Sequence, residues 1–246
     1  MGIDRPLIDR HVTDLTEETR ALQLSKRRVM ATILVVCAAL VTVNVALGLL
    51  QLLGAKDATA ALSTFDLDAE RNAATWFASA LLLTAAALLG VIGATSAPSE
   101  SRRPWLGLAG LFVLMSLDET AAWHERLIQP LRSAFGTAGS VFHFAWVIPG
   151  IALVVLVAAL YMPFLRRLPR VTRTGFVLAG ATYVSGAIGL EMLMGVLLEP
   201  AGQGVVTGVT VLAEETLELL GVTLLIATLL GHLQHHRPTL SLVLEN

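Results

Sequence analysis

Charged residues are scarce in this chain. They make up 15% of its 246 residues, whereas soluble domains carry roughly 25%. Hydrophobic residues make up 55%, and the mean hydropathy is +0.72. This composition is typical of a protein with several membrane-spanning helices rather than of a soluble domain. The net charge of -2 provides no excess of basic residues, so we expect no nucleic-acid partner.

Cysteine is almost absent, since Cys37 is the only one and lies inside an apolar run. One cysteine cannot form an intrachain disulfide, and a small buried hydrophobic side chain is its simplest role. A cleavable signal peptide is also not evident, because a polar segment of 28 residues precedes an apolar run too long for one. We therefore expect a cytosolic segment over 1–28, a transmembrane domain over 29–233 and a cytosolic tail over 234–246.

Long runs without charge predict an all-α bundle of six membrane spans. Three runs exceed the roughly 20 residues that a helix needs to cross a bilayer, and they cover 29–55, 72–99 and 133–165. The other three runs are interrupted by acidic residues, beginning at Asp118, Glu191 and Glu214. These runs reach a sufficient length only if they include the acids. The acidic residues therefore belong to the membrane segments, unless those segments are re-entrant.

The basic residues predict the direction of the spans. Over alternate flanking segments, 13 Lys and Arg residues fall on one side of the membrane and 4 on the other. The positive-inside rule then places both termini in the cytosol of a bacterial cell with the chain in its inner membrane. With this orientation, the carboxylates within the spans lie in or near the outer half of the bilayer.

Six carboxylates lie within the predicted spans, and no Lys or Arg accompanies them there. They are Asp118, Glu119, Glu191, Glu214, Glu215 and Glu218. Each ionised carboxylate at the centre of a span costs about 2.5–3.5 kcal/mol. The compensation must therefore come from bound protons, a metal cation, a water-filled cavity or a mixture of these.

Helical geometry predicts that these acids share one site with a histidine. Three of them, on the last span, lie within one arc of roughly 100°. His124 points about 120° away from Asp118 on a straight helix, so it joins the site only if the helix bends or ends there. Carboxylate and imidazole ligands together suit Fe, Zn or Mn. We expect a divalent metal held by Asp118, Glu119, His124, Glu191, Glu214, Glu215 and Glu218, with Glu119 and Glu215 as catalytic acid–base groups.

Three further features lie near the outer surface, and two of them leave alternatives open. Glu125 is either a ligand or an interfacial charge, and His143 lies either near the site or among the lipid headgroups. The outer loop Gly54–Arg71 carries four acidic residues. We expect this loop to cover the outer mouth of the site and to concentrate cations there.

The segment L-D-E-x-x-x-x-H-E, from Leu117 to Glu125, resembles a segment of uncharacterised bacterial integral membrane proteins with six spans. The resemblance covers about ten residues and the hydropathy profile, and it implies no established function.

Three functions are compatible with the sequence. The first is a metal-dependent enzyme, a hydrolase or a di-metal oxidoreductase, that acts on a lipid or another apolar small molecule. The second is a transporter in which the same acids bind a proton or a divalent cation. The third is a non-catalytic membrane subunit whose protonated acids mediate assembly. In each case the surrounding membrane lipids are the other partners we expect.

Overall fold

The structure is a computed structural model that describes residues 25–96, 102–201 and 204–236. Within those ranges all regular secondary structure is helical. Most of the predicted cytosolic N-terminal segment, residues 1–24, and most of the C-terminal tail, residues 237–246, lie outside the described residues.

Nine α-helices account for most of the described chain. They are α1 (Lys26–Leu52), α2 (Lys56–Leu62), α3 (Ala73–Thr95), α4 (Arg102–Ala121), α5 (Trp123–Phe135), α6 (Val147–Arg167), α7 (Arg170–Val184), α8 (Glu191–Ala201) and α9 (Val205–His236). A 3-10 turn, Ser63–Phe65, follows α2, and a π-helical segment, Ser185–Leu190, joins α7 to α8.

Five helical segments in the described part of the chain are long and apolar enough to cross a membrane. They are α1, α3, α6, α9 and the continuous segment made by α7 and α8. Helices α4 and α5 supply a sixth if they are counted as one span, although they are bent by 76°. The predicted all-α class and the presence of membrane-length helices are therefore confirmed, with five or six candidate spans among the described residues.

Helix α9 is the centre of the bundle. It packs against α1, α3, α7, α8 and the π-helical segment, and its side chains Ile226 and Leu229 are fully buried. Cys37 of α1 belongs to the same hydrophobic core, in agreement with the role expected from the sequence. In lipid, close packing rather than the hydrophobic effect holds such helices together.

Two glycines allow backbone contact between α9 and the α7–α8 segment. A Cβ atom added to Gly221 would lie 2.7 Å from the backbone nitrogen of Tyr183. A Cβ atom added to Gly186 would lie 2.8 Å from the carbonyl oxygen of Glu214. Both positions therefore require glycine, and both bring the acidic part of α9 against its neighbour.

A pair of serines fastens α3 to α4. The hydroxyl of Ser79 donates to the Ser116 carbonyl at 2.9 Å, and the hydroxyl of Ser116 donates to the Ser79 carbonyl at 3.0 Å. The two hydroxyl oxygens are 2.8 Å apart. Ser116 precedes Asp118 and Glu119 by less than one turn, so this pair fixes the part of α4 that presents those acids.

The segment predicted as the span 133–165 is divided differently. Its first residues end α5, residues 136–146 form turns, and the next long helix begins only at Val147. Gly136 is the reason, because it adopts φ +63° and ends α5 in the left-handed conformation that favours glycine. Because residues 136–146 carry no charge, the sequence pattern did not distinguish this helix end from the middle of a span.

The glycine contacts predict a stability difference between two substitutions on α9. Gly221→Ala introduces a methyl group within 2.9 Å of three Tyr183 atoms, so we expect destabilisation of about 1–3 kcal/mol from overpacking. The matched control is Gly208→Ala, which meets no atom within 4 Å and gains about 0.5–1 kcal/mol of helix propensity. Thermal unfolding of both variants in detergent measures the difference. Equal melting temperatures would contradict the close contact.

Candidate functional site

The α4–α5 junction begins the candidate site with a break in the helix. Ala122 has φ +50° and is buried, and a left-handed conformation costs a non-glycine residue roughly 1–2 kcal/mol. The 76° bend that follows places the start of α5 beside the end of α4. Local strain of this kind requires compensation from surrounding contacts.

Asp118 supplies that compensation and orients His124. One carboxylate oxygen of Asp118 accepts from the backbone N–H of His124 at 3.1 Å, which gives a partner to one of the free N–H groups at the start of α5. The other oxygen lies 2.8 Å from Nδ1 of the same histidine. The bend thus brings His124 to the acids, which a straight helix would not allow. With Nδ1 held by a carboxylate, Nε2 is the nitrogen left for a ligand.

The deep part of the site is a small cavity lined by acids from two helices. Glu119 of α4 and Glu215 and Glu218 of α9 line it together with Tyr183 of α7. The Tyr183 hydroxyl and the Glu218 carboxylate lie close enough to each other to interact. The cavity offers about 10 Å³ to the centre of a water-sized sphere, which is room for about one water molecule or ion.

Two further predicted residues flank this cavity. Glu191 begins α8 directly after the π-helical segment, a distortion that often occurs at functional sites. Its carboxylate is close enough to His124 and Glu214 to interact with their charges. Trp146 adds a ring contact, with its centroid 5.0 Å from that of His124. All seven residues predicted as metal ligands therefore lie at the same end of the bundle.

The acids remain without basic partners. Within 25–96, 102–201 and 204–236, no Lys or Arg forms an ion pair with any of them, and the His124–Asp118 contact is the one short pair of opposite potential charge. Solvent-accessible area shows each acid as partly buried rather than sealed. The compensation by protons, water or a cation that we expect from the sequence stays a prediction.

The outer loop contributes a residue that the sequence did not single out. Ligand atoms of Glu70, His124 and Glu125 all lie within 4.8 Å of one another. Burial and the neighbouring Glu125 carboxylate raise the pKa of Glu70. The sequence indicated Glu70 only as one of the acids in the loop expected to cover the site. Its position beside α5 depends on tertiary structure, which the sequence pattern does not show.

Two asparagines hold the outer loop in place. Asn44 of α1 donates to the Phe65 carbonyl at 2.9 Å and accepts from the Leu67 N–H at 3.0 Å. Asn72 donates to the Asp66 carbonyl at 2.6 Å and caps α3. These bonds fix both ends of the short segment that carries Glu70.

His143 has a structural contact in the loop after α5. Its Nδ1 accepts from the Gly139 N–H at 3.1 Å, and its carbonyl accepts from Nε of Arg132 at 2.8 Å. These bonds shape residues 136–146, and the two alternatives for His143 stay open.

A family model described as "Domain of unknown function (DUF8692)" matches residues 27–233. The chain therefore belongs to that family. The description assigns no function, which is consistent with the resemblance to uncharacterised proteins drawn from Leu117–Glu125. No curated protein and no solved structure matches the chain.

The dual contact of Asp118 predicts different results for two substitutions. Asp118→Ala removes the partner of the His124 N–H and of its imidazole, so we expect a loss of about 0.5–2 kcal/mol of stability. Asp118→Asn keeps an oxygen for the His124 N–H, and we expect it to retain most of the stability. Thermal unfolding in detergent distinguishes them. Equal losses in the two variants would show that the bond to the His124 N–H does not contribute.

Proposed function

We propose that this member of the family is an integral membrane enzyme that uses a divalent metal, Fe, Zn or Mn, bound in the acidic site. The observation that supports this most strongly is the convergence of acids from α4, α8 and α9 with an oriented histidine. Three helices bring carboxylates together without a basic partner, and a divalent cation offsets that accumulated charge.

The predicted residues have distinct roles under this proposal. Asp118 orients His124. A carboxylate that accepts from one nitrogen of a metal-bound imidazole normally raises the basicity of that imidazole. Glu119 and Glu215 face the same cavity and act as the acid–base pair. The remaining carboxylates, Glu191, Glu214 and Glu218, hold the cation or its bound water.

The reaction class follows from the ligand chemistry. A metal in a carboxylate and imidazole site activates water or polarises a carbonyl or phosphoryl oxygen, which supports hydrolysis. A pair of such metals supports oxidation instead. The substrate is a lipid or another apolar small molecule, because helices long and apolar enough to cross a membrane surround the site.

The floor of the deep cavity favours an enzyme over a transporter. Leu81, Leu82, Leu219 and Val222 line this cavity beside the acids, and Ile226 and Leu229 continue the apolar core along α9. A transported ion would have to cross this region, which offers no carboxylate within the described helices. An enzyme needs access from one side only.

The location proposed for this enzyme is the inner membrane of a bacterium, with the acidic site towards the outer face and both termini in the cytosol. The distribution of 13 and 4 basic residues supports this orientation.

This orientation predicts the result of reporter fusions. Green fluorescent protein joined after Asn246 should fluoresce, because the C-terminus faces the cytosol where that reporter folds. A reporter active only outside the cytosol should work when inserted after Ala138, in the turn between α5 and α6. The opposite pair of signals would reverse the orientation and place the acidic site towards the cytosol.

The metal proposal predicts that protein purified in detergent retains a divalent metal. Glu215→Gln and Glu218→Gln remove two carboxylates from the cavity with little change in volume, so we expect at least about a tenfold loss of metal affinity. Elemental analysis and equilibrium dialysis measure this loss.

The control for that experiment is Gly208→Ala, which removes no ionisable group, meets no atom within 4 Å and should leave the metal content unchanged. Wild-type protein without metal, and without affinity for added Fe, Zn or Mn, would contradict the proposal. The acids would then be protonated, as the transporter and the assembly subunit require.

A further inference from the structure

We infer that the mouth of the acidic site has a metal position of its own, in which Glu70, His124 and Glu125 bind a zinc-class divalent ion. This inference rests on the proposed function and deepens it. It adds a ligand from the outer loop and assigns the His124 imidazole to the mouth position, so that the carboxylates of the deep cavity bind a separate ion.

The first argument is geometric. One ligand atom from each of the three side chains lies within 4.8 Å of the other two. Zinc binds imidazole nitrogen at about 2.0–2.1 Å and carboxylate oxygen at about 2.0–2.2 Å. Two ligand atoms bound to the same tetrahedral zinc ion lie closer together than 4.8 Å. Small movements of the three side chains would therefore bring their ligand atoms to bonding distance from one ion.

The second argument is the orientation of His124. Its Nδ1 lies 2.8 Å from Asp118, and the Asp118 carboxylate is itself fixed by the backbone N–H at 3.1 Å. A carboxylate on one imidazole nitrogen with the metal on the other is the usual second-shell arrangement of metal-binding histidines. The histidine is thus held with Nε2 available before any ion arrives.

The third argument is an oxygen of Glu70 that lacks a partner. Its Oε2 is buried, and no described group forms a hydrogen bond with it. A buried carboxylate oxygen without a hydrogen bond costs stability, and a cation bound between Glu70 and His124 would remove that cost. This observation is independent of the spacing of the three side chains.

Three protein ligands leave one tetrahedral position open. Catalytic zinc sites keep such a position for water or substrate, whereas structural sites fill all four positions with protein ligands. Glu125 is exposed, while Glu70 and His124 are half-buried, so the open position is accessible from the outer side. The mouth therefore has the form of a catalytic rather than a structural site.

The test is a titration of the full-length protein in detergent with Zn²⁺. Each of Glu70→Gln and Glu125→Gln should weaken Zn²⁺ binding by at least about tenfold, and Asp118→Asn by roughly 10–100-fold through the orientation of His124. Gly208→Ala on α9 is the control, because it removes no ionisable group and meets no atom within 4 Å. Zinc-edge X-ray absorption of the wild type should show one imidazole nitrogen.

The outcomes separate this inference from the function on which it rests. Weakening by both glutamine variants, with the control unchanged, supports the mouth position. Wild-type affinity in both variants, together with loss in Glu218→Gln, overturns the mouth position and leaves the deep metal site standing. If the wild type binds no divalent metal at all, the inference and the proposed function both fail. Circular dichroism confirms that each variant is folded.

Discussion

The structure depends on one electrostatic constraint: carboxylates collect at one end of an apolar helical bundle without basic residues to neutralise them. An unpaired charge in such surroundings costs several kcal/mol after relaxation. Neither Lys nor Arg forms an ion pair with these acids in the described residues. A bound cation is the form of compensation that also gives the cluster a chemical use, and the geometry of His124 is suited to it.

The scaffold holds the acids together despite their mutual repulsion. Gly186 and Gly221 let α9 approach the α7–α8 segment at backbone distance, while the Ser79–Ser116 pair fastens α4 to α3. The break at Ala122 then turns α5 across the end of α4. These contacts lie close to the site and hold the acids near one another without a bound ion.

The sequence predicts the helical class and the acidic face because both follow from local patterns. Charge-free runs reveal spans, and the spacing of Glu214, Glu215 and Glu218 follows from the period of a helix. The sequence does not predict that Glu70 approaches His124, because that contact depends on the bend at Ala122 and on the asparagines that hold the loop. It also misplaces the start of α6, since residues 136–146 carry no charge to distinguish them from a span. His124 illustrates this limit of sequence-based prediction. From the sequence alone, it joins the acids only if the helix bends, and the bend is visible only in the folded structure.

Anomalous X-ray diffraction from crystals grown with Zn²⁺ tests the central claim most directly. We expect an anomalous peak within the acidic site, at bonding distance from carboxylate oxygens. Strong density for ordered acids that bond only to one another or to water, with no anomalous peak near them, would contradict it.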